Sequence, residues 1–352
     1  MGQPNQPRQP KDMPGLLKFC LEATKNEDAP AADPNNPIEE MDPERKKWLE
    51  EALTSMTVDF IEQLGNGIKI LNSNTADLEE KEEVLDSLED WLGNIDMANN
   101  FHKIGGYSCL RSCLLCPHPS LRSGASHLIA EISQNNPYCQ EKFVSEGFLD
   151  LLVTQLDQDT DEHCQVKALY AISCIARDEP LALGKFGQLD GWSVIVKAVQ
   201  RDSAKLRTKG CFMISSASQV SGQVVKEMVD MGLVIQLAHI LHLPHDNSHE
   251  HILSALLTLV RNSSQAREEA RAENLGLEQL LGERMKVLQD KEEFSECVEH
   301  SKSILQLLQP DFLPTGEWQE VQDWQSVPGG CHVKMDMDTG KKMARKEETA
   351  DR

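Results

Sequence analysis

Apolar residues along this chain fall at helical spacing, in short runs separated by polar turns, from about residue 42 to residue 309. The clearest run is 165–177, where Val166, Leu169, Tyr170, Ile172 and Ile175 alternate with the small residues Ala168, Ala171 and Ser173. Recurrence at i, i+3, i+4 and i+7 predicts a helix. Similar runs lie at 124–132, 209–217 and 253–260, and 84–95 reads as a first, degenerate copy. Alternation of small and large residues lets successive helices approach closely and interdigitate. Strand signals are nearly absent.

Five glycines punctuate the pattern: Gly106, Gly147, Gly191, Gly232 and Gly276, at intervals of 41, 44, 41 and 44 residues. A period of about 40–47 residues marks a stacked helical repeat of the armadillo or HEAT type. The expected fold is all-α: an armadillo/HEAT-like right-handed superhelical solenoid with helical N- and C-terminal caps. Such stacks bury a continuous core between neighbours and present a long concave surface to a partner.

The flanks divide the chain further. Residues 1–41 are rich in Pro, Gln and Asn and read as a disordered arm with one apolar island, 16–21, containing Leu16, Leu17, Phe19 and Leu21. That island is either a short turn docked on the body or a flexible peptide ligand. Asp42, Pro43 and Glu44 make a helix start, so 42–78 is expected to hold N-terminal capping helices, with 66–77 mostly a connection. Repeats occupy 79–264, charged amphipathic helices at 265–309 close the stack, and 310–352 is read as a disordered tail carrying Trp318 and Trp324.

Composition narrows the partner. With 57 acidic and 35 basic residues the formal net charge is −22. That argues against a nucleic-acid or anionic-membrane surface, which would need clustered Lys and Arg. No apolar run approaches the ~20 residues of a membrane span. The first residues lack the apolar core of a signal peptide, and Gln6 stands where a myristoylation site needs Ser or Thr. Most of the ten cysteines sit in apolar helical runs, as small buried hydrophobes do. These features describe a reduced cytoplasmic protein, expected to be a monomer when free.

Candidate chemistry is sparse. Cys109, Cys113 and Cys116 have the spacing of an iron–sulfur motif, with His118 following. They also fall at i, i+4 and i+7 in an apolar run, which makes a core stripe the better reading. His239, His242, His245, His249 and His251 are dense, yet no HExxH is present and a solvated loop leading into a helix accounts for them. The acidic string 157–162 lacks the glycine and distal glutamate of a calcium loop. No phosphate-binding loop, dinucleotide fingerprint or nucleophile elbow occurs. No catalytic residue, metal ligand or cofactor is expected. Pairs at the ladder positions used by import-type armadillo proteins are His127/Glu131, Tyr170/Cys174, Phe212/Ser216 and Ala255/Leu259, without the Trp/Asn pattern. Backbone clamping of basic peptides is therefore not expected.

Three stretches, 41–52, 166–175 and 249–256, resemble the heat shock protein 70-binding protein family, the cytosolic armadillo-type nucleotide-exchange factors of heat shock protein 70 chaperones. The resemblance runs from about residue 13 to 309. It departs at the ends, where the family's N-terminal glycine run is missing and the last 40 or so residues look unfamiliar. It implies an armadillo body that grips one lobe of the chaperone's ATPase domain with its concave face, opening the nucleotide cleft so that ADP leaves. It also implies an N-terminal arm, matched here by Leu16 to Leu21, that competes with client. Expected contacts lie on the last helix of each unit and its exit: Asn94, Asp96, Glu131, Asn135, Lys167, Ser173, Arg177, Lys205 and Lys209. The period and charge alone fit equally an armadillo scaffold for another cytosolic partner.

Overall fold

The computed structural model describes residues 60–309 and a strand pair at 334–336 and 341–343. The arm at 1–41, with its apolar island, and the helix start at 42–44 lie outside the described residues. Two helices, α1 (Phe60–Leu71) and α2 (Leu78–Leu92), lead into three-helix units. These are α3 (Ile95–Lys103), α4 (Tyr107–Leu114) and α5 (Pro119–Ser133), then α6 (Pro137–Ser145), α7 (Phe148–Gln158) and α8 (Glu162–Ala176). The next two are α9 (Pro180–Gln188), α10 (Gly191–Gln200) and α11 (Ala204–Val220), then α12 (Gly222–Asp230), α13 (Leu233–Leu241) and α14 (His249–Asn262). Finally α15 (Ser264–Ala270), α16 (Leu277–Leu288) and α17 (Ser295–Leu307) close the stack, with short 3₁₀ turns between them.

The third helix of each unit is its centre. In α8, Cys164, Val166, Leu169, Ile172 and Ile175 are all buried, as are the intervening small residues. A helix that is apolar all round must be covered on every side. It is covered by the third helices before and after it and by the second helix of its own unit. Burying each Leu or Ile side chain is worth roughly 1.5–3 kcal/mol. Third helices touch one another more extensively than second or first helices do, and the face they line together is the inner, partner-presenting face of a solenoid of this kind.

The repeating glycines serve two different needs. The recurring constraint is a left-handed residue before each second helix: Gly105, Gly147, Asp190, Gly232 and Gly276 all have positive φ. In two units this residue precedes the glycine of the sequence pattern. Gly106 and Gly191 are needed for space instead, since a Cβ at Gly191 would lie 2.3 Å from the Phe186 ring. Asp190 occupies the left-handed region at φ 55°, its carboxylate accepting from Ser193 Oγ at 2.7 Å; Asp tolerates this region better than most residues.

Two sequence expectations are corrected. The segment 66–77 was expected to be mostly connection, yet α1 runs on through Gly65 and Gly67 to Leu71. Gly67 lacks the side chain that would crowd Val84 and Leu88 of α2, so the glycine permits close packing where it suggested a break. The tail was expected to be unstructured, yet β1 (Lys334–Asp336) and β2 (Lys341–Met343) pair antiparallel, with Asp336 opposite Lys341.

Between units, arginines do what apolar packing cannot. Arg122 of α5 donates from Nε and Nη2 to both oxygens of Asp159, at 2.7 and 2.8 Å, and from Nη1 to the carbonyls of Cys116 and Pro117. Arg207 of α11 repeats the clasp on Asp246 at 3.0 Å. Arg201, Arg267, Arg271 and Arg284 bind carbonyls at helix ends. The acidic string 157–162 is thus a joint: Asp159 takes Arg122, Asp161 caps α8, and Asp157 faces Lys197 and Arg201.

Gly191→Ala should lower the urea midpoint by an amount corresponding to ~1–3 kcal/mol, because the Phe186 ring must move. Gly184→Ala, with open space around it in α9, should leave the midpoint unchanged or raise it by up to ~1 kcal/mol. Burial alone would raise the Asp159 pKa, but the hydrogen bonds from Arg122 and the Asp161 amide hold it below the usual carboxylate value. Asp159→Ala should therefore cost about 3 kcal/mol near neutral pH. The gap to wild type should shrink as pH falls below ~4, where the clasp's contribution begins to be lost. Urea titrations at pH 7 and at about pH 2 measure both.

Candidate functional site

Along the inner side, side chains of successive third helices link up. His127 of α5 meets Glu89 of α2, Nε2 to Oε1 at 3.0 Å, and its Nδ1 stands 3.9 Å from Glu131. The Tyr170 hydroxyl of α8 donates to Glu131 at 3.1 Å and also takes a hydrogen bond from Gln134. Lys209 of α11 sets its ammonium 4.7 Å from the centre of the Tyr170 ring, and Arg177 stands 5.8 Å from that of Phe212. His127, Tyr170 and Phe212 thus form an aromatic row with charged groups parked against it. A cation over an aromatic face gains ~0.5–1 kcal/mol when exposed and more when dried.

The expected contact residues are not all alike. Glu131, Lys167, Arg177 and Lys209 are half-buried and Lys205 is exposed; all five lie on the third helices or, for Arg177, at the exit of α8. Asn94 is chiefly a cap, its Oδ1 accepting from the amides of Asp96 and Met97 at 2.9 and 3.2 Å. Asp96 is the acidic residue of that first turn. Asn135 takes a left-handed turn at φ 52° just past α5, and Asp178 does the same past α8. Ser173 is corrected: it is 7 % exposed and contributes packing rather than contact surface.

Glu89, His127, Tyr170 and Phe212 were not among the expected contacts. Their signal was present, since Tyr170 follows His127 by 43 residues and Phe212 follows Tyr170 by 42. Reading those positions only against a Trp/Asn ladder hid the substitute row.

The other candidate chemistry resolves into packing. Cys109 and Cys113 are buried, and burial pushes their thiols up to about 12 and about 11. Cys109 donates to the Gly106 carbonyl. His245 stacks on His249 at 4.7 Å, and His249 Nδ1 lies 3.1 Å from Asp246 Oδ1. Burial lowers both imidazoles. His242 contacts the Leu275 carbonyl at 2.7 Å. Among the described residues no group of three or more His, Cys, Asp or Glu could hold a metal ion, and no helix is long and apolar enough to cross a membrane.

Comparison with known proteins gives this face its context. Residues 97–216 match the SIL1/FES1/HPBP1 C-terminal domain, and residues 13–101 match the nucleotide exchange factor Fes1 family. Hsp70-binding protein 1 of Mus musculus is 34% identical over 314 residues, 85% of this chain and 86% of that protein. The chain belongs to the Hsp70-binding protein 1/Fes1 family. The Homo sapiens member of that family is 33% identical over 85% of this chain and 86% of its own length. Hsp70 nucleotide exchange factor FES1 of Debaryomyces hansenii is 31% identical over 42% of this chain and 53% of its own.

Residues 312–340 match the nucleotide exchange factor Sil1 small beta-sheet domain, so the end that looked unfamiliar has a relative, and β1 falls within the match. In fold, a designed armadillo repeat protein superposes with a TM-score of 0.58 at 20% identity, covering 70% of this chain and all of that one. The armadillo-like solenoid is therefore shared well beyond the Hsp70-binding protein 1/Fes1 family.

A double-mutant cycle on Tyr170→Phe and Glu131→Gln should give a coupling of about 1 kcal/mol in unfolding free energy. Additive effects would show that the hydroxyl and carboxylate do not act as a pair.

Proposed function

We propose that this chain is a nucleotide-exchange factor for a cytoplasmic Hsp70 chaperone, which binds the chaperone's ATPase domain with its inner face and promotes ADP release. The observation that carries this reading is likeness to Hsp70-binding protein 1 over 85% of the chain. The physical role asked of the protein is modest. It must bind the open form of the nucleotide cleft better than the closed one, and it shifts the equilibrium only by that difference in affinity. A preformed solenoid face suits this, because little ordering entropy is spent on docking.

Glu131, Lys167, Arg177, Lys205 and Lys209 are the contacts we assign, with Asn94, Asp96 and Asn135 at the rim. The arm around Leu16, Leu17, Phe19 and Leu21 is assigned to client release, as an apolar segment that competes for the chaperone's peptide site.

The test is release of a fluorescent ADP analogue from an Hsp70 ATPase domain. The full chain should accelerate release in a saturable way, and Arg177→Glu with Lys209→Glu should raise the half-saturating concentration by tenfold or more. Absence of acceleration with every cytosolic paralogue would leave an armadillo scaffold for another partner.

A further inference from the structure

We infer that the inner face is electrically polarised along the stack, acidic at its first helices and basic at its middle, and that it therefore accepts the chaperone in one direction only. This rests on the exchange-factor reading. It adds which chemistry of the partner meets which part of the face.

The basic pole is unexpected from composition. In a chain with 57 acidic and 35 basic residues, Lys167, Arg177, Lys205 and Lys209 gather on α8, its exit and α11. Lys167, Arg177 and Lys205 form no ion pair with any described residue. Arg177 lies instead against the Phe212 ring, which positions it without neutralising it, and Lys209 lies against the Tyr170 ring. The acidic pole is α2, whose sequence LEEKEEVLDSLEDWL sets seven carboxylates against the single Lys81. Glu89 brings that pole onto the inner face through its contact with His127, and Glu131 extends it onto α5. Between the poles runs the aromatic row.

The occupant this pattern fits is the surface of the chaperone's ATPase domain, with acidic side chains over α8 and α11 and basic ones over α2 and α5. Reversing the partner would bring like charges together and leave the two unlike poles unmatched. Charge arranged in this way sets register and association rate more than final affinity, and its exposed part is screened by salt.

The experiment compares wild type with two charge-reversed variants of the full chain, Lys167→Glu with Lys205→Glu and Glu89→Lys with Glu131→Lys. Binding to the ATPase domain is measured by stopped-flow association at low and high salt. Zero-length carbodiimide cross-linking of the wild-type complex maps which lysines and carboxylates meet. Each variant should associate at least tenfold more slowly at low salt, with the gap closing at high salt, and cross-links should join Lys167 or Lys205 to partner carboxylates and α2 carboxylates to partner lysines. Circular dichroism guards against unfolding, and Lys167→Gln with Lys205→Gln should give an intermediate rate. Wild-type binding with unchanged variant rates, or cross-links of opposite polarity, overturns the inference and leaves the exchange-factor reading standing. A self-associating chain whose dimer dissolves on charge reversal assigns the poles to a second copy and also overturns it. No binding by wild type removes the exchange-factor reading, and the inference with it.

Discussion

Everything in this molecule depends on covering the third helices. A helix such as α8, apolar on almost every side, has no stable existence unless another like it lies on each flank. That requirement sets the period, explains the small residues at 168, 171 and 173, and forces the stack to end in helices with a wetter outer face. Past its first turn, α8 leaves open only a narrow stripe at Lys167. Every other side of the helix is committed to holding the stack together.

Much of this architecture was legible in the amino-acid sequence. Helical spacing in 165–177 and its three counterparts located the third helices, and the glycine interval gave the unit. What stayed hidden depends on geometry between units. A glycine can be present for a positive φ, as at Gly147, or for the lack of a Cβ beside an aromatic ring, as at Gly191, and spacing does not distinguish these. Gly65 and Gly67 looked like a break because helix propensity is local, whereas the close approach of α1 to α2 is tertiary. The clasps of Arg122 on Asp159 and Arg207 on Asp246 join residues 37 and 39 apart, and no local pattern announces them.

The inner face was legible in part. Glu131, Lys167, Arg177, Lys205 and Lys209 could be placed because polar residues interrupt apolar helices there. Ser173 failed because a serine in such a helix is as readily a small packing residue as a contact. His127, Tyr170 and Phe212 went unassigned because aromatic side chains on a helix read as core, and only the stacking of units shows them aligned beneath charged groups.

The joints of the stack are made largely by arginine, whose planar, multiply donating head suits carbonyl and carboxylate pairs. The groove's cations are mostly lysines. The two jobs are therefore divided between two side-chain chemistries. Acetylation, which neutralises lysine and leaves arginine alone, would reduce the basic pole to Arg177 while every arginine clasp stayed closed. The scaffold is in that sense insulated from its own surface: the cell could tune what the face attracts without loosening what holds the face in place.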